Sequence, residues 1–187
     1  MAPNTAMIDT FLKVNRELRR RNYEEIVKAT AQTENQKHWE GAFLRLPGSA
    51  NRAGFADYRK YIYKGKTVDK QTHLVIVLTS LENSPVPAAN SGKVVFAGGM
   101  GIYGRTVIID HGFGLFSLYA HLSKIDTAVG QMVAKGNNIG LTGKTGLAGG
   151  DHLHFSILVH HTFVNPVEWW DLKWIKDNIL TKIDSVK

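Results

Sequence analysis

The chain has no cysteine in its 187 residues. That excludes disulfides and thiolate metal ligands and leaves any metal chemistry to His, Asp and Glu. Long apolar runs are also missing, since none approaches the roughly 20 residues of a spanning helix, and no transmembrane segment is expected. The opening Met1-Ala2-Pro3-Asn4-Thr5 has no basic stretch followed by an apolar one, so no signal peptide is visible at this start. Acidic residues are in deficit: 16 Asp and Glu face 23 Lys and Arg, giving a formal charge of +7. Such a balance favours an acidic partner, whether nucleic acid, anionic lipid or an anionic polymer of the cell envelope. Nucleic acid is the disfavoured choice, because the basic residues are scattered and no strand interleaves them with aromatics. The Gly-rich stretches Gly98–Gly101 and Gly143–Gly150 have no Gly-Lys-Ser/Thr opening a helix, which excludes a phosphate loop.

What remains is an ordinary globular composition, 43% hydrophobic and 21% charged, in a chain long enough for one sizeable core and an appendage. Its character changes near residue 40. From Ile8 to about Gln32, apolar positions such as Phe11, Leu18 and Ile26 recur at helical spacing among Arg16, Arg19, Arg20, Arg21, Glu24 and Glu25. One long helix or two is predicted, its Arg cluster on a solvated face. Pro47-Gly48-Ser49 and Asn51-Arg52-Ala53-Gly54 then mark turns. The expected organisation is an N-terminal helical extension over 1–40, a linker and loop over 41–60, and a main domain over 61–187.

That main domain reads as β. Short segments, among them His73–Leu78, Gly92–Ala97, Arg105–Asp110, Gly114–His121 and His152–Val159, are separated by Gly, Pro, Asn or Ser clusters, as in an antiparallel sheet or barrel. The end holds Asn165 to Asp171 with Trp169 and Trp170, then an amphipathic segment of Trp174, Ile175, Ile179 and Leu180, predicted as a short helix over the sheet. Its tryptophans suit core packing better than carbohydrate stacking.

The chemistry concentrates in histidines. Asp151-His152-Leu153-His154 alternates, which places both imidazoles on one strand face while Phe155 and Ile157 turn to a core behind it. By the same alternation His121 shares a face with Ser117 and Tyr119, and His73 shares one with Val77. His111 and the pair His160-His161 read as turn residues. Three strands can therefore bring imidazoles together. A catalytic zinc takes three protein ligands and keeps a fourth position open.

Six ordered segments carry a resemblance: Gln71-Thr72-His73-Leu74, Ser84–Val94, Ile108-Ile109-Asp110-His111-Gly112, Leu118–Ser123, Gly140-Leu141-Thr142-Gly143 and Gly150-Asp151-His152-Leu153-His154. Over about residues 60 to 170 the chain resembles the lysostaphin/LytM-type zinc metallopeptidases, which cut peptide bonds in bacterial peptidoglycan. The resemblance implies a mostly β, open antiparallel sheet with its site in a groove, one zinc ion, peptidoglycan peptides as substrate, and a periplasmic, extracellular or cell-envelope setting. Zinc ligands then fall on His73 and His154, catalytic histidines on His121 and His152, and substrate-groove positions on Tyr119 and Asp151. The first motif departs from the family's His-x-Gly-x-Asp, reading His73-Leu74-Val75-Ile76-Val77. Val77 stands at the vacant ligand position, and a valine coordinates nothing, so two histidines should hold zinc weakly. Three accounts stay open: an endopeptidase completed by another group, a non-catalytic relative that binds murein or activates a cell-wall amidase, and a variant of an enzyme that has Gly and Asp at these positions.

Overall fold

The computed structural model describes residues 3–185. Met1 and Ala2 of the opening segment lie outside the described residues. The N-terminal pattern becomes one helical rod in which α1 (Pro3–Lys13) passes through a π turn at Val14–Leu18 into α2 (Arg19–Ala29). Asn15, Asn22 and Ile26 are buried along it, while Arg20, Arg21 and Glu24 stay exposed. Thr30 ends the helix, its hydroxyl and its N–H both donating to Ile26 O at 2.9 Å.

The strands are β1 (Ala50–Ala53), β2 (Asp57–Tyr63), β3 (Lys66–His73), β4 (Ile76–Thr79), β5 (Pro85–Pro87), β6 (Gly92–Gly99), β7 (Arg105–Asp110), β8 (Leu115–Leu122), β9 (Lys124–Ile125), β10 (Met132–Val133), β11 (Asn138–Leu141), β12 (Leu153–Val159) and β13 (Thr162–Val164). The main sheet runs β1-β4-β12-β8-β7-β6-β10, with β13 beside β12. A three-stranded sheet β5-β11-β9 and the hairpin β2-β3 stand apart from it, and the pairings are antiparallel. The open antiparallel architecture thus agrees with the sequence.

One predicted strand is two. The segment His73–Leu78 bends after His73, which closes β3, and Ile76 opens β4. The partners explain the bend: β3 pairs with β2 in the hairpin, whereas β4 pairs with β1 and β12 in the main sheet.

Both faces of the main sheet are covered, so its central strands are buried from end to end, as β8 is along its whole length. Tyr119, Phe155 and Ile157 face one core together with Trp39, Phe43, Trp169 and Ile175. Trp169 sits in α3 (Pro166–Trp169), and Ile175 closes α4 (Leu172–Ile175). Trp170 stacks on Phe155 at 6.0 Å, so these tryptophans do pack the core. On the opposite face Phe116, Leu118, Ala120 and Leu158 meet Ile26 of α2, so the N-terminal helix closes the second layer.

Candidate active site

Four histidines meet where β3, β8 and β12 converge beneath the N-terminal helix. His154, in β12, pairs with Ala120 of β8 on one side and Val77 of β4 on the other. Residues directly opposite on a ladder share a face, so Val77 stands beside His154 on the side away from Phe155. His152 lies just before β12, bridged to Gly143. Ring centroids lie 5.6 Å apart for His73 and His154, 5.2 Å for His121 and His154, and 4.7 Å for His121 and His152.

His121 reaches this cluster against alternation. Its place in β8 assigns it to the Tyr119 face, but its φ of 64° lies in the left-handed region and turns the ring across to His154. For a non-glycine residue that conformation costs roughly 1–2 kcal/mol. Tyr119 stays behind in the core, 1% exposed, its hydroxyl taking the Ala89 N–H at 2.7 Å. It is therefore no groove residue, because the pleat sends it to the face opposite the histidines. Burial first, offset by the hydrogen bonds it shares with Ser117 and the Ala89 N–H, pushes its phenol up to about 12. Asp151 lies at the margin, one oxygen accepting the Asn83 N–H at 3.2 Å.

Hydrogen bonds set the imidazole tautomers. His121 Nδ1 is 2.8 Å from Thr145 O and His152 Nδ1 is 2.8 Å from Gly150 O. A carbonyl only accepts, so each Nδ1 carries the proton and each Nε2 is left with a free lone pair. Burial, opposed by the Thr145 bond and aided by the charge of His152, lowers His121 to about 4. His73 also falls to about 4, through burial and then the charges of Arg59 and Arg19, and burial holds His154 well below 6.5. His73 Nδ1 and His154 Nε2 are buried without a hydrogen-bond partner.

A partly open cavity of about 150 Å³ lies over His73, His121 and His154. Arg19, Asn15 and Phe11 of the helical rod, Arg59 of β2 and Tyr103 also line it. Tyr103 meets His154 edge to face at 5.0 Å. The sequence reading missed Asn15, Arg19, Arg59 and Tyr103. The signal for the first was present: Phe11, Asn15, Asn22 and Ile26 form one stripe at helical spacing, and an Asn on an apolar stripe marks a buried polar contact. Asn15 Nδ2 donates to Asp69 at 2.8 Å and its Oδ1 accepts from Arg19 at 3.0 Å. Burial pushes the Asp69 carboxyl up, but the bonds from Asn15, the Lys70 N–H and Arg16 outweigh it, so the net direction is down.

Two free imidazole nitrogens suit a metal, but the rest of the surroundings does not. Among the described residues no three His, Asp, Glu or Cys side chains converge as a metal-holding group. Val77, which coordinates nothing, stands next to His154, the charged side chains of the cavity lining are Arg19 and Arg59, and Asp57 lies across the β2–β3 ladder from His73. The residues present therefore do not fit a three-ligand zinc site.

An open antiparallel sheet with a histidine cluster in a groove is the architecture of a metallopeptidase. Residues 71–166 match the model of Peptidase family M23, and the chain belongs to that family. It is similar to the DD-carboxypeptidase/endopeptidase Mpg of Neisseria meningitidis, 40% identical over 95 residues, which are 51% of this chain and 22% of that protein. It is also similar to the murein hydrolase activator EnvC of Escherichia coli, 34% identical over 94 residues, 50% of this chain and 22% of that one. The chain spans about a fifth of the length of these curated relatives. The solved catalytic domain of lysostaphin from Staphylococcus simulans superposes with a TM-score of 0.57 at 30% identity, covering 68% of this chain and 96% of that domain. No helix among the described residues is long and apolar enough to cross a membrane.

Proposed function

We propose that this chain is a peptidoglycan-directed domain that holds cell-wall peptides in the M23 groove and has lost hydrolysis of its own. The observation that carries this is Val77 standing across the ladder from His154. M23 peptidases are zinc-dependent, and the resemblance assigns His73, His154 and position 77 to the metal. With valine there, position 77 supplies no ligand and no negative charge, and two neutral imidazoles remain. The chain's own residues can still bind. His121 and His152 hold acceptor nitrogens at fixed orientation, and His73 and His154 add two nitrogens without a partner, so the cluster can take N–H groups of a peptide. The kinship with Mpg and EnvC supports peptidoglycan in the cell envelope or periplasm as the setting. The likeness to EnvC also favours a second arrangement, in which the bound domain activates a cell-wall amidase.

The test is co-sedimentation with purified peptidoglycan sacculi alongside an assay for released peptides, both with added zinc. The chain should sediment with sacculi and release nothing, and adding it to a cell-wall amidase should raise that enzyme's release severalfold if the second arrangement holds. Stoichiometric zinc with peptide release would overturn the reading, and so would failure to sediment. In the family's scheme His121 and His152 are the catalytic pair, so any release should vanish in His152→Ala.

A further inference from the structure

We infer that the cavity over His73 and His154 is a carboxylate pocket, in which Arg19 takes the C-terminal carboxylate of a peptide. This rests on the reading that the domain engages peptidoglycan peptides, and it specifies which chemical group is held and by what.

The lining carries two arginines and three histidines and no Asp or Glu. The two guanidiniums are the charged groups of that lining, so it favours an anion over a cation. Arg19 is the unsatisfied charge. Its Nε is buried without a partner, one Nη donates to Asn15 at 3.0 Å, and no ion pair involves it among the described residues. Its neighbour on the rod behaves differently: Arg16 pairs with Asp69 at 3.3 Å and donates to Val68 O at 2.8 Å. A guanidinium cannot shed its charge, so a buried N–H on it lacks an acceptor until an anion arrives. Carboxylates fit the guanidinium fork with two parallel hydrogen bonds.

The surroundings hold Arg19 ready. Asn15 lies in the π turn, clamped to Asp69 by one side of its amide and to Arg19 by the other, which fixes the guanidinium over the cavity. Arg59 also lines the cavity, its Nε paired with Asp57 at 3.2 Å. His73, His121 and His154 complete the polar part of the lining. A partly open space of about 150 Å³, below the roughly 300 Å³ of a typical small-molecule site, suits a group the size of a peptide's terminal carboxylate. Phe11, Ile102 and Leu147 supply an apolar wall suited to a small side chain next to that terminus.

The experiment is a calorimetric or NMR titration of the full chain with diacetyl-L-lysyl-D-alanyl-D-alanine, with the same peptide amidated at its C-terminus, and with acetate. The free acid should bind at least about tenfold more tightly than the amide. Arg19→Gln should bring the two level and abolish acetate binding. Arg59→Gln, a half-exposed change that spares the fold, should reduce the preference several-fold. Equal binding of acid and amide, or a preference that survives Arg19→Gln in a variant with an unchanged melting profile, overturns the pocket. Sedimentation with sacculi but no acid preference removes the pocket and leaves the cell-wall reading standing. Arg19-dependent acetate binding by a chain that ignores sacculi supports the pocket and removes that reading.

Discussion

Val77 lies directly across the β4–β12 ladder from His154, half-buried and on the same face. An Asp there would put a carboxylate beside His154 with no change of backbone. In the metal-free chain Val77→Asp should lower stability by about 1–3 kcal/mol, because it removes apolar burial and leaves a partly desolvated charge. Zinc should then raise the Tm of the variant and leave that of the unsubstituted chain in place, since binding to the native state alone stabilises it. Thermal melts with and without equimolar zinc decide this, and an equal rise in both would remove position 77 from the metal site.

The elements of the fold were legible because each carries a strong local signal. Glycine and proline clusters cut the β region into segments of the right length, and the stripe from Phe11 to Ile26 announced a helix. The histidines the motifs singled out, His73, His121, His152 and His154, do come together in the fold. What pattern could not supply was direction and docking. Alternation put His121 beside Tyr119, because a left-handed φ at one non-glycine residue leaves no trace in hydrophobic periodicity. It joined His73 to Val77, because a change of strand partners is a tertiary event. It treated Arg19 as solvated: a helical stripe shows which side is buried but not that the rod crosses a cavity.

Gly112, in the turn between β7 and β8, has a φ of 87°, and a Cβ there would stand 1.7 Å from Gln36 O. The turn also gathers Asp110, which accepts from Gly112 N–H, from Thr33 at 2.8 Å and from Glu34 N–H at 2.7 Å. Gly130 has a φ of 88° with open space around it. Alanine at either site pays roughly 1–2 kcal/mol for the left-handed backbone. Only Gly112→Ala must also displace the 33–38 segment, so it should cost at least about 2 kcal/mol more than Gly130→Ala. Urea midpoints of the two variants give the comparison, and equal values would mean the segment yields freely.

Asn22 fastens the helical rod to the sheet. It is 1% exposed, and its Oδ1 accepts the Ile102 N–H at 2.9 Å. Asn22→Ala leaves that buried donor without an acceptor, at a cost of about 1–3 kcal/mol. Because Ile26 closes the second core one turn later, amide exchange in α2 should accelerate with it. A stability change inside about 0.5 kcal/mol would show that the rod is held elsewhere.

His111 gives the fold an acid limit. The ring is fully buried, with Nδ1 2.7 Å from Ser91 O and Nε2 2.7 Å from Ser117 Oγ, which lies 2.9 Å from the Tyr119 hydroxyl. Since Ser91 O only accepts, Nδ1 holds the proton and Nε2 accepts from Ser117. Burial lowers His111 to about 4, with the Ser91 bond opposing and the charge of His38 assisting. In the unfolded chain the same ring titrates near 6.5. Between those values the unfolded state binds more protons, so this stability is complete above about pH 6.5 and is lost as pH falls toward 4, on the order of 3 kcal/mol. His73 and His121, also lowered to about 4, act in the same direction. His111→Gln should therefore be less stable at pH 7 and lose less stability between pH 7 and pH 4.5. Denaturant titrations across that range measure the slope, and a slope unchanged by the substitution would move the acid sensitivity from His111 to the histidines of the groove.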